Sequence, residues 1–215
     1  MREIYTFVGM SGVGKSHWST RLKDLGFDLY SIDDLIAEKL SKVVLAYDIK
    51  NSINYRKSAV GDLAKWMGFP DDKRYIKNSK KYLETESKIV AQTLASALKS
   101  KKNTIIDTTG SVIYIDKKTL GNLKKQTKIV YFDSPTSHLK NMFEVFKRDP
   151  KPIIWAGMYK PKKGEDDNKA LLRCYKELIQ SRIKAYEALK GKNINYKWQF
   201  DRKRKATEVL KKIQG

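Results

Sequence analysis

The sequence predicts an α/β fold, a five-stranded parallel sheet with helices on both faces. Three observations predict it. Short apolar, β-rich runs alternate with helical periodicity along most of the chain. The first run, Ile4-Tyr5-Thr6-Phe7, leads into the glycine-rich stretch Gly9-Met10-Ser11-Gly12-Val13-Gly14-Lys15-Ser16 and then a helix. A length of 215 residues suits a single domain over 1–215 with one small inserted subdomain.

In order, the first strand (3–9) is the apolar run that ends at the first glycine, and a helix (15–25) begins where the glycines stop. The second strand (27–31) closes in Tyr30-Ser31-Ile32-Asp33-Asp34, and an apolar-periodic helix (34–41) follows, for which Asp33 reads as the N-cap. Residues 42–79 leave the alternation: helix-like pieces around 55–67, then Gly68-Phe69-Pro70-Asp71-Asp72, predict a helical insertion. A long helix (80–100) returns the chain to a third strand (103–107), and a helix (116–124), a strand (127–133) and a helix (136–147) resume the pattern. Residues 149–168 combine Pro, Gly and charge without periodicity, which predicts a lid. A helix (168–189), a last strand (195–200) and a last helix (204–213) complete the frame. There is no internal repeat and no low-complexity segment.

Composition narrows the function classes. No apolar run is long enough to span a membrane, and the chain enters its first strand at once, so neither a membrane partner nor a signal peptide is expected. Cys174 is the only cysteine, which excludes an internal disulfide or a cysteine-rich zinc site and suits a reducing cytoplasm. The net charge of +21 attracts anionic substrates and raises nucleic acid as a secondary partner class. The excess is mostly Lys spread over nearly every segment. Ile, Asn and Tyr are also abundant, a bias that A/T-rich coding produces without selection for binding.

Gly9 to Ser16 is the pattern G-x-x-x-x-G-K-S between a strand and a helix, the context its chemistry requires. Backbone N–H groups of such a loop converge on phosphate oxygens at a helix N-terminus. The candidate nucleotide contacts are therefore Gly9, Ser11, Gly12, Val13, Gly14, Lys15, Ser16 and the adjoining His17. Lys15 would reach the β- and γ-phosphates of ATP, and the Ser16 hydroxyl would meet Mg²⁺. Asp33 stands at the carboxyl end of the second strand, where ligands of open α/β sheets bind, and could accept a hydroxyl proton. The third strand, Thr104-Ile105-Ile106-Asp107, ends in a carboxylate beside the phosphate loop, a second candidate for Mg²⁺. Gly110 in the turn Thr108-Thr109-Gly110-Ser111 would admit a substrate close to the backbone. Arg182 extends the apolar stripe Leu171, Tyr175 and Leu178, a position costly for a cation unless it is paired or bound to an anion.

With these residues in order, the chain resembles shikimate kinase. Gly9 to Ser16 is nearly that family's phosphate loop, and Ile32-Asp33 falls where its D-T-D motif supplies an Mg²⁺ contact and the catalytic aspartate. Lys151-Pro152-Ile153-Ile154 is similar to its R-P-L-L lid motif, which makes Lys151 and the neighbouring Arg148 candidate catalytic cations. The helix around Leu171 to Tyr186 is similar to the one that ends in R-x-P-L-Y, which implies a substrate contact for Arg182. Asp201 to Ile213 is similar to the closing elements that flank adenine, which implies a nucleotide contact for Arg204.

The departures lie on the acceptor side. Ser31 replaces the first motif aspartate, Thr108 to Ser111 replaces a glycine triplet, and Tyr82-Leu83-Glu84-Thr85-Glu86 aligns with F-R-x-x-E but lacks its arginine. The resemblance implies an ATP- and Mg²⁺-dependent kinase whose acceptor is a small hydroxylated metabolite, anionic ones included, other than shikimate. Two further readings stay open. A kinase of nucleotides or nucleic-acid 5′ ends would turn Tyr55 or Trp66 towards the acceptor cleft. A non-catalytic nucleotide-binding regulator would keep Asp33 and Asp107 away from the γ-phosphate.

Overall fold

A computed structural model describes residues 2–50, 59–201 and 203–215. Along the chain these form β1 (Ile4–Val8), α1 (Lys15–Lys23), β2 (Asp28–Ser31), α2 (Ile32–Lys50), α3 (Ala59–Met67), α4 (Tyr75–Lys99) and β3 (Thr104–Asp107). There follow α5 (Lys117–Gln126), β4 (Lys128–Phe132), α6 (Leu139–Arg148), α7 (Asp167–Glu187), β5 (Lys192–Ile194), α8 (Tyr196–Gln199) and α9 (Ala206–Gln214). Val112–Tyr114 and Thr136–His138 are single 3₁₀ turns.

The five strands are all parallel, in the order β2-β3-β1-β4-β5. Every residue of the central β1 is buried, as a strand covered on both faces requires, and its two hydroxyls are partnered, Tyr5 donating to the Glu3 carboxylate and Thr6 paired with Thr127 at 2.8 Å. Helix α1 packs beside α9, while α4 packs on α2, α3 and α5. The register matters most for function. Asp107 stands level with Phe7 on one side and Ser31 on the other. The exit of β1, the start of α2 and the turn after β3 therefore leave the sheet at one height, along its carboxyl edge.

Three expectations need correction. The last strand is 192–194 rather than 195–200, and Tyr196–Gln199 is a helical turn. Tyr196, Trp198 and Phe200 alternate with Lys197 and Gln199 like a strand. Local capping overrides that pattern: Asn195 accepts from Trp198 N at 3.2 Å, and Asp133 accepts from Tyr196 N at 2.5 Å. Asp33 is not an N-cap, because α2 begins at Ile32 and the Ser31 hydroxyl faces Asp34 N at 3.5 Å. The boundaries of 34–41 and 80–100 were too short, so the stretch 42–79 is largely the end of α2, then α3, then the first turn of α4.

Trp66 is 3% exposed and does not face a cleft; Tyr55 lies outside the described residues. Cys174 is buried, and no described helix is long and apolar enough to cross a membrane.

Candidate active site

The loop between β1 and α1 ends in an uncapped helix. Asp116, Asp166 and Asn195 cap α5, α7 and α8 with side-chain oxygens, whereas Gly14 at the start of α1 offers none. The first N–H groups of α1 thus lack a side-chain acceptor where an anion would satisfy them. Glycine is required at both ends of the loop. At Gly9 (φ +143°) a Cβ would lie 2.5 Å from the Phe132 carbonyl oxygen; at Gly14 (φ +98°) it would lie 2.6 Å from Gln199 Oε1. The space beside Gly12 is open. Val13 is buried, and Ser11, Ser16 and His17 are exposed.

Lys15 is 6% exposed and folds back over the loop, its Nζ donating to the carbonyls of Gly9 and Met10 at 3.0 Å each. Burial pushes its ammonium below the usual range, while Asp107 and Asp33 pull it back up. Asp107 is 4% exposed and accepts from Ser19 Oγ at 3.1 Å through Oδ2, while Oδ1 is buried without a partner. Burial raises its carboxyl, against the opposing pull of Lys15 and of the Ser16 and Ser19 hydroxyls. An orphaned carboxylate oxygen beside Ser16 fits a divalent cation. No described cluster of three or more His, Cys, Asp or Glu could hold one alone, so Ser16, Asp107 and phosphate oxygens would share it.

Asp33 sits in the first turn of α2, half-buried, and no described residue hydrogen-bonds its carboxylate. Burial pushes it up to about 6, opposed by Lys15 and reinforced by Asp107. Asp34, one residue on, is exposed.

Behind these groups lies Glu86, which the sequence places at the end of the F-R-x-x-E-like stretch without giving it a role. Glu86 on α4 is 0% exposed, and its carboxylate accepts from the Thr109 hydroxyl and, at 2.7 Å, from the Ser111 hydroxyl. Burial lifts it to about 7 despite both bonds. It lies in the buried stripe Tyr82, Glu86, Ile89, Val90 and Thr93, so a carboxylate on an apolar helix face was the available signal.

The turn that Glu86 holds is gripped from the other side by α7. The Gly110 carbonyl accepts from Arg182 Nη1 at 3.1 Å and from the Tyr186 hydroxyl at 2.6 Å. A Cβ on Gly110 would lie 3.4 Å from the backbone N of Ser11, so this turn abuts the phosphate loop itself. Arg182 is 4% exposed, donates also to the Ile154 carbonyl at 2.7 Å, and stands 5.3 Å from the centre of the Tyr114 ring. No described carboxylate lies within ion-pair distance of it, and its Nε is buried without a partner.

Residues 149–166 have no regular structure but are fastened to the body. The Tyr75 hydroxyl donates to the Ile153 carbonyl at 3.1 Å and accepts from Trp155 N at 2.7 Å. Trp155 is buried among Phe69, Phe146, Tyr159 and Tyr175. Lys151 is ion-paired with Asp149 at 3.0 Å and close enough to Asp33 to lower its carboxyl; Arg148 is exposed at the end of α6. On the far side of the loop, Arg204 is engaged by Glu208 at 2.9 Å, Asp201 at 3.5 Å and the Trp198 carbonyl at 3.3 Å. The structure thus groups Lys15, Ser16, Asp33, Asp107, Gly110 and Arg182, with Lys151 near them, and gives Arg204 partners of its own.

Residues 4–144 match the family model described as AAA domain. Among solved structures, shikimate kinase from Acinetobacter baumannii in complex with shikimate superposes with a TM-score of 0.56 at 13% identity, covering 100% of this chain and 94% of that one. Shikimate kinase from Bacteroides thetaiotaomicron gives 0.58 at 14%, covering 99% and 94%. That from Aquifex aeolicus gives 0.50 at 16%, covering 98% and 93%. At such identities the likeness is one of fold. No curated protein matches this sequence.

Proposed function

The chain belongs to the AAA-domain family, and from that premise we propose that it transfers the γ-phosphoryl group of ATP to a hydroxyl of a small metabolite other than shikimate. The observation that carries this reading is the convergence of a phosphate loop, an unbonded Asp33 and a buried, unpaired Arg182 at one edge of the sheet.

The loop N–H groups hold the β- and γ-phosphates, and Lys15 leaves its two carbonyls to neutralise charge on the transferring group. Ser16 and Asp107 are the residues that would hold Mg²⁺, which would offset the negative charge of the phosphates. Asp33 takes the proton of the acceptor hydroxyl as that oxygen attacks phosphorus, and ADP departs. Its raised pKa, about 6, keeps it a base at neutral pH yet a better proton acceptor than an exposed aspartate. Arg182 retains its buried Nε–H for the acceptor, and Lys151 leaves Asp149 to meet the phosphates.

An acceptor screen tests the reading. ADP formation is followed with hydroxylated carboxylates, sugars, nucleosides and oligonucleotides bearing a 5′-hydroxyl. The expected outcome is turnover with one class and kcat/KM for shikimate below about 10⁴ M⁻¹s⁻¹. Nucleotide binding with no transfer to any class would favour a regulator.

A further inference from the structure

A cavity of about 470 Å³ lies between α4 and the segment 149–166. That is the size range of clefts that hold metabolites. Tyr114 and Ile154 belong to its wall, and Arg182 touches both, one through the ring and one through the carbonyl, besides its bond to the Gly110 carbonyl. Arg182 thereby joins the wall of this cleft to the Gly110 turn beside the phosphate loop.

The lining has two characters. Ile76 and Leu83 on α4 face it together with Tyr114 and Ile154, an apolar set broad enough to cover a ring. Ile76 is 76% exposed, the most exposed large apolar side chain among the described residues. Such exposure costs solvation unless something seats against it. The wall carries one cation, Lys80, against two carboxylates, Glu84 and Asp116, a net charge of −1. A carboxylate or phosphate would gain little here, whereas an uncharged ring with hydrogen-bonding edges would fit. Tyr114 also carries the Arg182 guanidinium at 5.3 Å, which withdraws electron density from its ring and favours stacking by an electron-rich partner. The chain is locally strained at this rim: Ala156 has φ +50° and is followed by Gly157 at +75°.

We propose that this cleft seats the non-reacting half of the acceptor, and that this half is a nucleobase-like ring stacked on Tyr114, so that the acceptor is a nucleoside whose sugar hydroxyls point inward. The proposal rests on the phosphotransferase reading above, and its test separates the two. The four common ribonucleosides are titrated onto the full chain while a non-hydrolysable ATP analogue saturates the phosphate loop, with ligand-observed saturation-transfer NMR as the readout. Base protons of at least one nucleoside should receive saturation. Its affinity should fall at least tenfold in Tyr114→Ala and in Ile76→Glu, and less than about threefold in Tyr114→Phe. Analogue binding should be unchanged in all three. Ile76→Glu, on an exposed position, keeps the test sound if Tyr114→Ala fails to fold. Silent nucleosides beside a bound analogue would overturn the ring seat and leave the phosphotransferase reading intact, as would nucleoside binding indifferent to all three variants. Failure of the analogue to bind would overturn the reading beneath.

Discussion

Three carboxylates of the site, Asp33, Glu86 and Asp107, are held above their ordinary range by burial, and two of them give testable pH dependences. Asp33 at about 6 predicts an acidic limb in kcat/KM near that pH. Asp33→Asn should lower turnover on the order of a hundredfold and abolish the limb; a profile flat down to pH 5 in the parent would contradict its role as base. Glu86 makes a prediction about stability. Its folded pKa, about 7, lies above the ordinary 4.5, so the folded chain holds this proton more tightly than the unfolded one. Stability from this group is complete below about 4.5 and is lost as pH rises towards 7, about 3 kcal/mol in all. Glu86→Gln should remove that fall, seen as a smaller drop in Tm between pH 5 and pH 8. An identical drop in both proteins would refute it. Arg182 and Asp33 were legible as residues because each stands where its type is costly or exposed to ligand. Glu86 was legible as a carboxylate on an apolar helix face, but its role was not, since its partners, the hydroxyls of Thr109 and Ser111, lie more than twenty residues away.

At the scale of elements, the phosphate loop, the first four strands and most helices follow from apolar runs and periodicity. The segment after β5 shows the limit. A six-residue alternation reads as a strand, and a deciding carboxylate, Asp133, comes from just beyond the end of β4, more than sixty residues away. The stretch 149–166 was legible as irregular, but its attachment was not, because Tyr75 reaches it from α4. Tyr75→Phe removes both bonds and leaves the Trp155 N–H buried without a partner. We expect a loss of about 1–3 kcal/mol. If the effect is local, Trp155 amide exchange should accelerate in the variant before global unfolding does; unchanged exchange would place the segment's anchorage in the aromatic cluster alone. Closure over nucleotide is a separate expectation. Trypsin should cut at the exposed Lys162 and Lys163 more slowly with ATP·Mg²⁺ than without it, and equal rates would argue against a lid.

Across the whole molecule, a net charge of +21 surrounds a site that itself gathers carboxylates. The surface charge draws anionic ATP by long-range attraction, whereas Asp33, Glu86 and Asp107 disfavour an anionic acceptor close by. Raising salt from about 50 to about 500 mM should therefore raise the KM for ATP and leave that of an uncharged acceptor almost unchanged. The charge was plain in the sequence; its separation into a basic exterior and an acidic interior needed the fold. The central claim is that this edge of the sheet moves a phosphoryl group. Transfer of label from [γ-³²P]ATP to the acceptor found by screening, in the parent and in Lys15→Ala, tests it most directly. The account predicts one labelled acceptor per ADP in the parent and a fall on the order of a hundredfold or more in Lys15→Ala, with the fold retained by circular dichroism. Near-parental transfer by folded Lys15→Ala would contradict it.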